Sequence, residues 1–186
     1  MSKKRSTHFL VMLIGSFLLG NNSLLAQDTI YWSPERPLAW EDFIAVPEKG
    51  ATESAQAATG VALEFQYRET DQKGKWEYQY KVYSYFLPYL SWKKPQDINY
   101  YLLEHEQTHF HISELLARKL KKELSKMIAD ENVGVEAERI YNKMQKDHAA
   151  LQNKYDQDTK NSLEIDQQLE WQQKIQDSLK QYEDWK

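Results

Sequence analysis

Leu103-Glu104-His105-Glu106-Gln107-Thr108-His109 is the stretch from which the rest of the chain can be read. It spells His-Glu-x-x-His inside a segment with helical periodicity. Histidines four apart share one helix face, so two imidazole nitrogens can bind one metal while the glutamate stands beside the open coordination position. Zinc suits this arrangement, because it takes two imidazoles and a third protein ligand and keeps a fourth position for water. Glu106 is then the expected general base. Chance would place such a motif in on the order of one chain in a hundred of this length. On a helical wheel His105 and His109 fall within a stripe of Ile98, Tyr101, Leu102, Ile112, Leu116 and Leu120, so both are expected to face inward, with Glu106 at the rim.

Outward from the motif, the pattern continues to about Met127, with Pro95 or Asp97 as the start signal. Asp130 to Gly134 breaks it. Ala137, Ile140, Tyr141, Met144, His148, Leu151 and Tyr155 then mark a second helix, residues 156–162 read as a polar connection, and Ile165, Leu169, Gln172, Ile175, Leu179 and Tyr182 mark a surface-lying third. Upstream, Val61, Leu63, Phe65 and Tyr67 alternate with other residues. Trp76, Tyr78, Tyr80 and Val82 do so again after Asp71-Gln72-Lys73-Gly74, which predicts an aromatic β-hairpin. Residues 48–60 are small and polar and read as a loop, and Leu38 to Phe43 reads as a turn or short helix. A hairpin layer followed by a long motif helix and two further helices is an α+β, zincin-like arrangement in one domain spanning residues 27–186.

The chain has 186 residues and begins with Lys3, Lys4 and Arg5, an apolar run from Phe9 to Leu19, and a small residue at Ala26. This is the pattern of a signal peptide over residues 1–26, cleaved before Gln27, and it predicts export to the periplasm or beyond with no stable membrane span afterwards. There is no cysteine, so disulfides, thiolate ligands and a lipid-anchor cysteine are excluded. Removing Lys3, Lys4 and Arg5, with no acidic residue lost, takes the formal charge from −4 to −7. Nucleic acid is a poor partner for such a chain.

A cysteine-free zinc site needs a third His, Asp or Glu. The pattern is not metzincin-like, since Ile112 and Leu115 stand where that motif wants Gly and His. His111 lies round the helix from His105 and suits packing, and Glu114 points further away. His148 is on the inward stripe of the second helix, Asp156 lies just beyond that stripe beside Tyr155, and Glu136 and Glu138 precede it.

These elements together resemble a family of secreted bacterial proteins of unknown function described as predicted zinc-dependent proteases. The resemblance runs through Leu38-x-Trp40-x-Asp42-Phe43, Ala57-Ala58-Thr59, and Leu103-x-His105-Glu106-Gln107-x-His109-Phe110, followed by Glu114, Ala117 and Arg118. Its later Tyr-Asp-x-x-Thr-x-His-Gly is matched by Tyr155, Asp156 and Thr159, while Asn161 and Ser162 replace the His-Gly pair and His111 stands where Asp is more frequent. The resemblance implies a zinc peptidase acting on a peptide or protein, and it favours Asp156 as third ligand, with His148 the alternative. A cell-wall amidase belongs to the same class. The departure at Asn161 motivates a different one, a non-enzymatic envelope protein that keeps a degenerate form of the fold for binding.

Overall fold

In a computed structural model the backbone of residues 8–12 and the whole of residues 29–47 and 49–186 are described. Of the leader expected over residues 1–26, the described part is strand β1 (His8–Met12), paired antiparallel with β4; the remainder lies outside the described residues. The other strands are β2 (Ile30–Tyr31), β3 (Ala55–Gln56), β4 (Thr59–Glu69), β5 (Trp76–Phe86) and β6 (Trp92–Lys93). The helices are α1 (Tyr100–Leu124), α2 (Val133–Thr159) and α3 (Ile165–Gln181). The four-stranded sheet runs β1-β4-β5-β2, and β3 and β6 form a separate antiparallel pair.

The expected hairpin is β4–β5, in register from Thr59 opposite Phe86 to Glu69 opposite Trp76. Its turn closes through Thr70 N–H to the Lys75 carbonyl at 2.7 Å, with Gly74 at a φ of 82° that favours glycine. Alternation places Val61, Leu63, Phe65 and Val82 on one face. There they pack against Leu116, Leu120 and Leu124 of α1 and Ala137, Tyr141 and Met144 of α2 in the main core. Ile112 and Leu115 of α1 join Tyr155, Trp171, Ile175 and Leu179 in a second, three-helix core. Leu38 and Phe43 close a third over Phe86 and Phe110.

Several sequence expectations are corrected. Residues 48–60 are not all loop, because Ala55 and Gln56 pair with Lys93 and Trp92, and β4 already begins at Thr59. Small polar residues hid a strand whose partner is remote in sequence. The motif helix starts later than Pro95 or Asp97, since Asn99 caps it by accepting the Leu102 N–H at 3.0 Å. Ile98 therefore precedes the helix, and both it and Tyr101 are exposed rather than inward.

Residues 156–159 are not a connection. Helix α2 continues to Thr159 because Tyr155 and Thr159 are completely buried among the three helices, and this packing outweighs the polar composition. In α3 the inward stripe is Gln168, Trp171, Ile175 and Leu179, while Ile165 and Leu169 face out. The indole of Trp171 sets that rotation by packing edge-on against Tyr155 at 5.5 Å, and Gln168 supports it by donating to the Tyr101 carbonyl at 2.8 Å.

Candidate metal centre

The two halves of α1 do different work. In the C-terminal half Glu114 and Arg118, one turn apart, are buried against α3. Arg118 Nε donates to Glu114 at 2.8 Å, and Nη1 donates to the Leu179 carbonyl at 2.8 Å and to Glu183 at 3.0 Å. Ser84 on β5 donates to the other Glu114 oxygen at 2.7 Å. These residues tie the sheet, α1 and the end of α3 together, and Glu114 is in structural use. The N-terminal half carries the His-Glu-x-x-His motif.

His105 and His109 present their Nε2 atoms to the same point, 3.2 Å apart. Helix α2 crosses α1 so that Asp156 Oδ1 completes the triangle, 3.2 Å from His105 Nε2 and 2.9 Å from His109 Nε2. A tetrahedral zinc with ligands at 2.0–2.1 Å has ligand-to-ligand edges of about 3.3 Å, so the three donors already stand near the separations that ion requires. Among the described residues this trio is the one metal-competent group of three donors. His148 does not join it. Its Nε2 lies 2.8 Å from Ser113 Oγ and 3.1 Å from Gln152 Nε2, and burial pushes its pKa down to about 4. His111 is likewise engaged elsewhere, its Nδ1 accepting from the Trp32 indole at 2.9 Å, with burial pushing its pKa down to about 4.

Gln152, one turn before Asp156, determines how His109 presents itself. Its Nε2 donates to the backbone carbonyl of His109 at 3.0 Å, and a carbonyl can only accept, so the amide orientation is fixed. The Oε1 end then faces His109 Nδ1 at 2.6 Å, which requires a proton on Nδ1. In the neutral ring the Nε2 lone pair consequently points at Asp156 and His105. Sequence reading did not single out Gln152, although His148, Gln152 and Asp156 at spacings of four share one face of α2.

Three lone-pair donors in contact repel unless a cation lies among them, and without a metal a proton must serve. The titration behaviour follows. Burial works against a charged His109, yet the hydrogen bond with Asp156 and the charge of Glu106 outweigh it and raise its pKa. Burial also works against the Asp156 carboxylate, but the two histidines hold it well below the usual carboxylate range. Tyr155 locks the constellation, stacking on His105 with centroids 4.6 Å apart and meeting His109 edge-on at 5.0 Å. The Nδ1 of His105 is buried with no hydrogen-bond partner among the described residues, so that ring is held by stacking on Tyr155 and by its Nε2 contact with Asp156.

Glu106 is not at the rim of the stripe but 3% exposed, and Oε2 accepts the Ala57 N–H at 2.7 Å. Burial raises its pKa against the pull of His109 and His105. The Ala57-Ala58-Thr59 element thus has a specific place. Ala57 orients Glu106, Ala58 N–H is held by Ser91 Oγ at 2.9 Å, and Thr59 Oγ1 accepts from Ser113 at 2.9 Å and from Gln152 at 3.2 Å. Gln107 accepts the Leu38 N–H at 2.7 Å, which anchors the Leu38 to Phe43 segment to the motif helix.

His105, Glu106, His109 and Asp156 line a cleft of about 520 Å³, walled on one side by residues 53–59 and on the other by His148, Gln152 and Asn161. Lys160, Asn161 and Ser162, with φ of 47°, 53° and 72°, turn the chain out of α2 in three consecutive left-handed steps. Ser162 therefore sits in a conformation that glycine adopts freely, and Asn161 faces the cleft without being needed to complete the three-donor set.

Fold and site define the class: a mixed α/β protein with antiparallel sheets and three helices, whose motif helix offers a His-His-carboxylate set beside a buried glutamate. The chain belongs to the family described as bacterial protein of unknown function (DUF922), whose pattern matches residues 44–166 and so takes in the whole motif helix and Asp156. No curated protein and no solved structure matches the chain significantly.

Proposed function

We propose that this protein is an exported, zincin-like, zinc-dependent peptidase in which His105, His109 and Asp156 hold the metal and Glu106 is the general base. The observation that carries the reading is the triangle of His105 Nε2, His109 Nε2 and Asp156 Oδ1, with no edge longer than 3.2 Å and with the His109 lone pair aimed into it by Gln152. When bound, zinc supplies Lewis acidity at a scissile carbonyl and acidifies a water molecule.

The chain's own groups do the rest. Glu106, with a raised pKa, is suited to take a proton from water and deliver it to the leaving amine. The Ala57 N–H keeps one of its oxygens in place during that exchange. Tyr155 excludes solvent from the back of both imidazoles. Strand β3 is the edge of its two-stranded sheet and lies along the cleft, so it gives an extended peptide a backbone with which to pair. Among the described residues no helix is long and apolar enough to cross a membrane.

Zinc content of protein purified without added metal, together with casein hydrolysis by wild type and Glu106→Gln, tests the reading. The expected result is near one zinc per chain in both proteins and a rate loss in the variant of roughly 10² to 10⁴. Absence of tight zinc binding would instead favour a binding protein with a degenerate site, the reading that the Asn161-Ser162 departure motivates.

A further inference from the structure

The cleft does not end at the metal-competent triangle. A second chamber of about 330 Å³ opens beside it and shares three walls with it, Ser54, Leu102 and Asn161. The two cavities thus form one groove that passes His105 and Glu106 and then turns toward the start of α1. Three apolar side chains from separate elements converge on the second chamber. They are Tyr101 at the start of α1, Leu163 in the turn after α2 and Ile165 at the start of α3, and they are 49%, 79% and 44% exposed. Helix periodicity alone would have buried Tyr101 and Ile165. Packing instead turns them toward an open cavity, although the Tyr101 ring also meets Tyr100 edge-on at 5.9 Å.

The position of this chamber is set by the fold. The left-handed run at residues 160–162 directs Leu163 over the cavity, and the Glu164 N–H closes the turn onto the Thr159 carbonyl at 2.9 Å. Opposite, Ser54 Oγ donates to Asp97 Oδ2 at 3.0 Å and ties the rim of β3 to the approach to α1. Apart from the histidines, the charged side chains of the groove are all acidic. Glu53, Asp97, Glu106 and Asp156 line it, and no lysine or arginine does among the described residues. A carboxylate in the second chamber, whether a side chain or a free C-terminus, would find no cationic side chain among its walls and would face Asp97.

Resting on the peptidase reading above, we propose that this second chamber is a specificity pocket for an apolar side chain next to the bond that is cut. The substrate class is an internal, carboxylate-poor stretch of polypeptide, which makes the enzyme an endopeptidase. An apolar side chain enclosed by Tyr101, Leu163 and Ile165 is worth on the order of 10- to 100-fold in selectivity.

The test uses matched, internally quenched 10-residue peptides, acetylated and amidated, that differ at one position carrying Leu, Phe, Ala or Glu. A Leu peptide ending in a free carboxylate at the next position completes the set. Cleavage is measured with the zinc-loaded full-length protein, and binding with zinc-loaded Glu106→Gln, so selectivity is read even without turnover. Leu and Phe peptides are expected to bind and react about 10- to 100-fold better than the Glu and free-carboxylate peptides. Leu163→Arg, at a 79% exposed site, is expected to lower the Leu preference and improve the Glu peptide, with zinc content and Tm measured alongside. Equal handling of Leu and Glu, a preference that Leu163→Arg leaves intact, or no binding of any peptide would overturn the pocket. Selective binding without any cleavage by wild type would uphold the pocket and sink the peptidase reading; unselective cleavage would do the reverse.

Discussion

Replacing Gln152 by Leu isolates the tautomer control of His109 from metal ligation itself. Leucine keeps much of the volume but removes both ends of the amide: the acceptor 2.6 Å from His109 Nδ1 and the donor 3.0 Å from the His109 carbonyl. With a metal on Nε2 the Nδ1–H is polarised, and a hydrogen bond to such a group is worth about 1.5 to 3 kcal/mol. Zinc affinity should therefore fall roughly 10- to 100-fold, the range expected for a residue that orients a ligand. Asp156→Ala, which removes the proposed third ligand, should fall well below that. Gln152→Glu restores the acceptor but sets a carboxylate against the His109 carbonyl, so it should recover zinc binding better than it recovers thermal stability. The assay is competition with a fluorescent zinc chelator at fixed pH, with the Tm of each metal-free protein confirming that it is folded. Wild-type affinity in Gln152→Leu, alongside a lost site in Asp156→Ala, would refute the idea that the amide directs the His109 lone pair.

Other outcomes follow from the same contacts. His148→Ala should keep wild-type zinc affinity within a few-fold, because its ring nitrogen is bound to Ser113 and Gln152; a loss matching Asp156→Ala would make His148 the third ligand. The folded-state pKa of His148, about 4, lies below its ordinary 6.5, so the unfolded chain binds the extra proton between those values. Its share of stability is complete above pH 6.5 and is lost as pH falls toward 4, at most about 1.4 kcal/mol per pH unit. Urea titrations across that window should give a shallower slope for His148→Gln. Arg118→Met leaves Glu114 buried with only Ser84 as partner and should cost about 3 to 5 kcal/mol; a Tm close to wild type would count against the ion pair. Ser162→Gly relieves a left-handed strain of about 1 to 2 kcal/mol and gives back part of it to backbone entropy, so a modest rise in Tm is expected, and a fall would contradict the φ of 72°.

The metal-competent half of the motif helix was legible in the sequence because its geometry is local. Residues four apart share a helix face whatever surrounds them, and His105, Glu106 and His109 needed nothing more. The hairpin was legible for a similar reason, since alternation of Val61, Leu63 and Phe65 with smaller or polar residues has the period of a strand. Composition misled where burial decides. The polar run after Tyr155 reads as a connection, yet Tyr155 and Thr159 drive α2 onward into the three-helix core and so place Asp156 in its last turn. Residues 53–59 read as a loop, yet they hold the Glu106 carboxylate and wall the cleft, because their pairing partners are Lys93 and Trp92. Periodicity was likewise a poor guide to Tyr101 and Ile165, whose exposure depends on where neighbouring helices stop. The sequence by itself determined which groups can bind a metal and which can move a proton. Only the tertiary structure decided that Asp156, 51 residues after His105, meets the two imidazoles and that Gln152 turns the His109 lone pair toward them. The angle at which α2 crosses α1 is set by large side chains interlocking in the core, and no local spacing encodes it.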